Sequence, residues 1–221
     1  MPAHNEARVI REVLARVPAT VRGMAVTTIV VDDGSTDQTG QIARSAGVTV
    51  IRHITNLGVG AATITGMRLA CYLGADFVVT MDSDGQHDPQ EITPLVEALL
   101  DGPFDVVIGS RLLSPEGMPF SRFSANLLLN VVTFVVYGKI VSDSQSGFKV
   151  MSRQALERMN LKSPGYEICS EIVGELYRNH LRYKSLPVKA VYTKYSQAKG
   201  QHFLNGVNLI LDLLMRLMRR V

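Results

Sequence analysis

Short runs of consecutive apolar residues, each ending in a polar and often acidic cluster, alternate along this chain with longer stretches whose apolar residues recur every three or four positions. Residues 5–17 carry Val9, Ile10, Val13, Leu14 and Val17 on one helical face, with Asn5 placed to cap it and Pro18 to stop it. Thr27, Thr28, Ile29, Val30 and Val31 form a strand-like run that passes into Asp32-Asp33-Gly34-Ser35-Thr36-Asp37-Gln38. There, Ser35 and Gln38 have capping-box spacing for a helix closing near Gly47. A short strand at 48–51, a helix from the Asn56-Leu57-Gly58-Val59-Gly60 segment to about Leu73, and a strand from Phe77 continue the rhythm. Next come a helix with Thr93 as cap and Pro94 in its first turn, ended by Gly102-Pro103, and a strand at 105–109. A βαβα succession predicts a mostly parallel central sheet flanked by helices.

The second half has a different texture. Residues 123–141 read as a mostly apolar helix, 143–150 as a polar loop and strand, 152–159 as a short capped helix and 167–177 as another. Residues 183–193 alternate around Pro187, which places that strand at a sheet edge, because proline cannot donate to a central ladder. No repeat or low-complexity linker appears. We expect a single domain (1–221) with divisions at 1–111 and 112–200, nucleotide binding falling in the first half, and an amphipathic C-terminal helix at 201–221.

Composition narrows the class. The 221 residues carry 23 basic and 20 acidic side chains, a net charge of +3, too mild to indicate nucleic acid as the partner. Two cysteines, Cys71 and Cys169, lie far from metal-binding or disulfide spacing. The first residues lack a basic and apolar leader pattern, and the longest apolar stretch, 127–136, is shorter than a bilayer span, so a cytoplasmic protein peripheral to the membrane is expected.

The densest chemistry follows the Phe77 strand: Met81-Asp82-Ser83-Asp84-Gly85-Gln86-His87. Ligands bind at the carboxyl ends of strands in sheets of this type, and oxygen donors from Asp82, Asp84 and Gln86 suit a hard divalent cation that also holds phosphate. A polar strand-to-helix turn without metal is the other reading. A calcium-binding EF-hand loop is excluded by Gln86 and His87 at positions that require other residues. Asp32 and Asp33 fit either helix capping or ligand binding. The spacing Gly58-x-Gly60-x-x-Thr63 lacks the third glycine of a dinucleotide fingerprint, so these glycines read as a close helix approach or a backbone contact to a donor.

Taken together, Pro2-Ala3-His4-Asn5-Glu6, Val31-Asp32-Asp33-Gly34-Ser35-Thr36-Asp37, Asn56-Leu57-Gly58-Val59-Gly60 and the Asp82 to His87 segment closely resemble the inverting family-2 glycosyltransferases of GT-A fold. Asp143-Ser144-Gln145-Ser146-Gly147-Phe148-Lys149 and Tyr195-Ser196-Gln197-Ala198-Lys199 narrow the likeness to the branch of dolichyl-phosphate mannose and glucose synthases. The resemblance implies a GDP- or UDP-hexose donor bound by Pro2, Ala3, Glu6, Val31, Asp32, Asp33, Gly60, Asp82 and Ser83. It implies Mg²⁺ or Mn²⁺ on Asp82, Asp84 and Gln86, and Arg111 and Lys199 as cations for the departing diphosphate. It also implies that Ser146, Gly147 and Lys149 fall on the acceptor side, making 1–111 the nucleotide-sugar and metal-binding half and 112–200 the acceptor-side half. The strand that precedes Pro2 in that family has no counterpart here, so a sheet without its usual first strand is expected.

Two acceptors stay open. A hydroxyl needs a general base, for which Asp88, Asp143 and Glu171 are candidates with Asp143 foremost; a lipid phosphate is already ionised and needs none. Residues 203–221 favour the lipid. Asn205, Asn208, Asp212, Arg216 and Arg219 form a narrow polar stripe on an otherwise apolar helix, suited to an anionic membrane surface or to docking on this protein's own core or a dimer interface. The expectation is inverting hexose transfer to a polyprenyl phosphate. Transfer to a hydroxyl, or a silent nucleotide-sugar-binding module, is the alternative, and homo-oligomerisation stays open.

Overall fold

The computed structural model describes residues 1–191. Lys199, the Tyr195 to Lys199 segment and the 203–221 helix lie outside the described residues. In chain order the elements are β1 (Pro2–Ala3), α1 (Ile10–Ala15), β2 (Thr20–Val21), β3 (Met24–Ala25), β4 (Ile29–Asp33), α2 (Thr39–Ser45), β5 (Thr49–His53), α3 (Val59–Tyr72), β6 (Phe77–Thr80), α4 (Ile92–Asp101), β7 (Val106–Ser110), α5 (Phe120–Tyr137), β8 (Lys149–Ser152), α6 (Arg153–Arg158), α7 (Ile168–Arg178) and β9 (Tyr183–Pro187).

Apart from a short antiparallel β2–β3 pair, the described strands assemble as two sheets. One, in the order β1-β4-β5, is parallel throughout. The other, β6-β8-β7-β9, is mixed: β8 runs antiparallel between β6 and β7, and only the β7–β9 pair is parallel. The parallel expectation therefore holds at the β1–β4, β4–β5 and β7–β9 pairs, and β8 is the strand that breaks it. β8 departs from it because α5 and the loop after it bring the chain back at the end of the sheet where β6 and β7 finish, so that β8 starts with Lys149 opposite Thr80 and Ile108. β9 closes one edge and pairs only with β7, so Pro187 sits where its missing N–H costs nothing. A strand also stands where none was expected, since Pro2 and Ala3 pair in parallel register with Val31 and Asp32.

Helix starts moved where tertiary contacts outweighed local caps. Ser35 accepts from the Asn5 amide instead of capping α2, whose first residue is Thr39. Asp88, not Thr93, opens the segment before α4: its carboxylate accepts from the Gln90 amide at the head of a short 3₁₀ turn, Pro89–Glu91. Ser152 does cap α6, accepting from the Ala155 amide.

β4, β7 and β8 are almost wholly buried: one face of all three packs against α3 and α7, while the other face meets α4 at β7 and β8 and α1 and α2 at β4. α5 begins earlier than its sequence pattern suggests. At 18 residues it is the one described helix long and apolar enough to cross a membrane, with 22% of it buried. Phe120, Leu127, Leu128, Val131, Phe134 and Val135 are exposed on it, whereas Leu129, Thr133, Val136 and Tyr137 face inward.

α5 meets α7 at closest range where Gly174 faces the Tyr137 ring, whose atoms would lie within about 3 Å of an added Cβ. Substituting Gly174→Ala should lower stability by about 1–3 kcal/mol through overpacking, read as a shift in the denaturant midpoint at unchanged slope.

Candidate active site

The carboxyl ends of β1, β4 and β6 and the loops that follow them enclose a cavity of about 760 Å³. Pro2, Ala3, Glu6, Asp33, Asp82, Ser83, Asp84, Gln86, Arg111, Gly147 and Lys149 all line it, as the sequence anticipated. Val31, Asp32, Gly60, Asp143 and Ser146 stand behind its wall. His4, Asn56, Arg122, Gln145 and Tyr166 line it as well, and residue type alone did not single them out.

One wall is built by two loops zipped together. Asn5, in a left-handed conformation at φ 56°, directs its side-chain oxygen to the amides of Thr36 and Asp37, while its own amide donates to Ser35 Oγ. Asparagine tolerates that backbone conformation better than most residues. The Glu6 amide donates to Thr39 Oγ1 and the Ala7 amide to Asp37 Oδ2. Asp32 braces the same turn from behind: Oδ1 accepts from the Ser35 amide, and Arg52 lies 3.7 Å from Oδ2.

Asp33 faces the cavity and is held from three sides. Leu57 and Gly58 donate their amides to its two oxygens at 2.9 Å, and the His53 ring bonds Oδ1 at 2.7 Å. His53 is steadied by Thr65 Oγ1 at 3.1 Å. Gly58, at φ 99°, and Gly60 let the start of α3 press onto the 163–165 backbone; a Cβ at Gly60 would stand 2.6 Å from the Gly165 carbonyl oxygen. These glycines thus serve close approach of backbones, with no pyrophosphate grip required of them.

The second wall is the tip of β6. Register with β8 sets Thr80 opposite Lys149, and the Thr80 hydroxyl donates to the Gly147 carbonyl. Gly147 leaves room for Asp82, whose two oxygens would be 2.7 Å from any Cβ there. The Asp82 amide donates to Nδ1 of His87, a buried ring packed 5.0 Å from Phe148. Burial lowers the His87 pKa to about 4, with the Arg111 charge acting in the same direction, so the ring is neutral near pH 7. Ser83 donates to the Pro2 carbonyl and ties β6 to β1.

Both carboxyls of the pair titrate above their ordinary range. Burial raises Asp82, partly offset by Arg111, Lys149 and the N-terminus; burial and then the Asp82 charge raise Asp84. Burial and the same two carboxylates push up the nearby Tyr166 hydroxyl. Gln86 is placed differently from expectation. Its amide nitrogen donates to Asp84 Oδ2 at 2.6 Å and its oxygen accepts from Arg122, so it orients a carboxylate instead of presenting oxygen to an ion.

This donor set fits a magnesium- or manganese-like ion. No group of three or more His, Cys, Asp or Glu side chains that could hold a metal exists among the described residues. Asp82 and Asp84 instead supply two hard oxygen ligands whose burial and mutual repulsion are only partly offset, and such ions are commonly held by one or two carboxylates together with substrate phosphates.

A third part of the cavity wall is cationic, carrying Arg111, Arg122 and Lys149. Asp143 is fully buried and binds Arg111 through both oxygens, at 2.8 Å to Nε and 3.0 Å to Nη2, while accepting from the Arg111 amide. Burial pulls the Asp143 carboxyl upward, yet the Arg111 guanidinium outweighs it and leaves the pKa below the ordinary 3.8. Asp143 therefore positions Arg111, and as a base it has neither an open face to the cavity nor a suitable pKa. The other two candidate bases are engaged elsewhere: Asp88 pairs with Arg16, and Glu171 accepts from the amides of Lys162 and Ser163. Lys149 is buried, its ammonium donating to the Ser146 carbonyl. Asn130, Thr133, Ser144, Gln145 and Ser170 form a side-chain network that pins the 143–147 loop between α5 and α7.

The architecture and this site agree with what the chain is similar to. Glycosyl transferase family 2 matches residues 1–159. The chain belongs to that family. It is 35% identical over 243 residues to the UDP-N-acetylglucosamine–dolichyl-phosphate N-acetylglucosaminyltransferase of Methanococcus voltae, covering all of this chain and 96% of that protein. It is 31% identical to the dolichol-phosphate mannosyltransferase of Pyrococcus furiosus, over 93% of this chain and 58% of that one. Among solved structures, glucosyl-3-phosphoglycerate synthase from Mycobacterium tuberculosis with Mn²⁺, UDP-glucose and phosphoglyceric acid superposes with a TM-score of 0.69 at 25% identity. That match covers 98% of this chain and 77% of the other. The GT-A fold inferred for this family-2 member is borne out.

Replacing Asp143 by Asn should cost about 3–5 kcal/mol at pH 7, because it removes the buried carboxylate that binds the Arg111 guanidinium through both oxygens. The contribution of Asp143 is fully present above the ordinary carboxylate pKa and is lost as pH falls through its depressed folded value. Urea unfolding should therefore show the wild type and Asp143→Asn converging toward acid pH; a constant difference between them would remove the ion pair from the account.

Proposed function

We propose that this protein transfers a hexose from a nucleoside-diphosphate sugar to a polyprenyl phosphate, with inversion at the sugar carbon, at the cytoplasmic face of a membrane. The observation that carries this reading is the division of charge in the cavity. Its carboxylates among the described residues are Glu6 and Asp33 on one wall and Asp82 and Asp84 at the strand tip, whereas the acceptor side carries Arg111, Arg122 and Lys149. An anionic nucleophile needs cations around it and no base; a hydroxyl would need a base that this wall does not offer. The M. voltae and P. furiosus proteins, by their names, act on dolichyl phosphate.

In this mechanism Pro2, Ala3 and Glu6 border the nucleoside, and Asp33, held by Leu57, Gly58 and His53, accepts a hydrogen bond from the base. Asp82 and Asp84 would hold Mg²⁺ or Mn²⁺, which when bound offsets the charge of the departing diphosphate. An oxygen of the lipid phosphate attacks C1 of the sugar as the bond from C1 to the diphosphate oxygen breaks. Arg111, fixed by Asp143, and Lys149 counter the negative charge on either side of that carbon, so their attraction is felt most in the transition state. No proton has to move. α5 supports the membrane end of the reading, since its first turns line the cavity and its later turns carry the exposed apolar face.

An assay pairing UDP- and GDP-hexoses with polyprenyl phosphate in anionic vesicles tests this directly. Turnover should require Mg²⁺ or Mn²⁺, and Asp84→Ala should reduce kcat by about 100-fold or more. Near-full activity of that variant, or turnover with hydroxyl acceptors and none with the lipid phosphate, would overturn the proposal.

A further inference from the structure

An ionised carboxylate can only accept hydrogen bonds, and its two oxygens offer about four positions for them. At Asp33 three are filled. Oδ1 accepts from His53 Nδ1 at 2.7 Å and from the Leu57 amide at 2.9 Å, and Oδ2 accepts from the Gly58 amide at 2.9 Å. One position is left, on Oδ2, in a residue that lines the active-site cavity. His53 keeps its place because its other ring nitrogen bonds Thr65 Oγ1 of α3 at 3.1 Å.

A donor stands beside that open acceptor. Asn56 lines the same cavity, and its Oδ1 accepts from the Gly58 amide at 3.0 Å. That bond settles which end of the side-chain amide is oxygen, since nitrogen there would face another N–H. Nδ2, with two N–H groups, has no partner among the described residues. Asp33 Oδ2 and Asn56 Oδ1 share one Gly58 N–H, so the acceptor and the donor are neighbours.

Nucleobases differ in the edge they show to such a wall. Uracil has one ring N–H between two carbonyls: the N–H meets Oδ2 of Asp33, and a carbonyl accepts from Asn56. Guanine shows an N–H and a carbonyl too, but adds an exocyclic amine whose partner is the second oxygen of the carboxylate, and here His53 and Leu57 have filled that oxygen. Cytosine turns a lone pair toward the carboxylate. A donor or acceptor left unmet in a closed site is costly, so counting positions is enough to discriminate. We infer, on the transferase reading above, that this wall selects the edge shared by uracil and thymine, so that the sugar donor is a UDP- or dTDP-sugar and not a GDP-sugar. His53 is the positioning residue that sets the choice: it touches no substrate and acts by occupying the place on Oδ1 that the guanine amine would take.

Calorimetric titration of the full chain with UDP, dTDP, GDP and IDP in the presence of Mn²⁺ tests this, inosine lacking only the guanine amine. UDP or dTDP should bind about tenfold or more tightly than GDP, the tighter of the two identifying the base, and IDP about fivefold more tightly than GDP. In His53→Phe, which empties the place on Oδ1, GDP should gain about fivefold relative to both UDP and IDP. Equal weakening of all four nucleotides in that variant would contradict the role given to His53. GDP as tight as UDP in the wild type, with Glu6 then meeting the amine, would overturn the inference and leave transfer to a polyprenyl phosphate standing; binding of none of the four would overturn the donor site itself. If His53→Phe does not fold, the wild-type ratio of IDP to GDP affinity decides, and a ratio of one contradicts the selection.

Discussion

Asp82 and Asp84 stand two residues apart at the tip of β6, where burial and, for Asp84, the charge of its neighbour push their carboxyls above the usual range. A protein folding around such a pair must supply positive charge or leave it to a ligand. Here the fold does part of each. Arg111, Lys149 and the N-terminus lower the cost at Asp82, and the remaining demand matches a divalent cation with phosphate oxygens to complete its shell. The zipped 2–7 and 32–39 loops, the His53–Asp33 contact and the neutral His87 beneath Asp82 all serve to present these two carboxylates, Glu6 and Asp33 in one cavity.

The cationic wall obeys the same logic from the other side. A guanidinium held bidentate by a buried carboxylate keeps its orientation and cannot swing away to solvent. That rigidity costs stability if either partner is removed, yet it lets charge be stabilised without reorganisation when it develops. α5 adds the topological half of the design. It is anchored by the polar network at Asn130 and Thr133, starts in the cavity and turns an apolar face outward. One helix thus joins the cavity to an exposed apolar surface.

Much of this was legible in the sequence because buried strands declare themselves as apolar runs and their ligand-bearing tips follow directly. β4, β6 and β7 and the acidic turns after the first two were placed within a residue or two. What the sequence hid was mostly long-range. Asp88 and Thr93 are both acceptable caps, and only the packing of α1 against the Asp88 turn through Arg16 chooses between them. The insertion of β8 antiparallel to its neighbours depends on where α5 delivers the chain. Asp143 resembled a base because an acidic residue near a glycine turn looks available; its partner Arg111 is 32 positions away. His53, 20 residues from Asp33, and Arg122, 36 from Gln86, carry no local signature of their contacts either.

Binding of Mn²⁺ measured by electron paramagnetic resonance, with and without UDP or GDP, tests the central claim most directly. Two carboxylates that need phosphate oxygens to complete the shell should hold the ion weakly alone and at least ten times more tightly when one of the nucleoside diphosphates is present. Equal affinity with and without nucleotide, or tight binding that survives loss of both Asp82 and Asp84, would contradict the account.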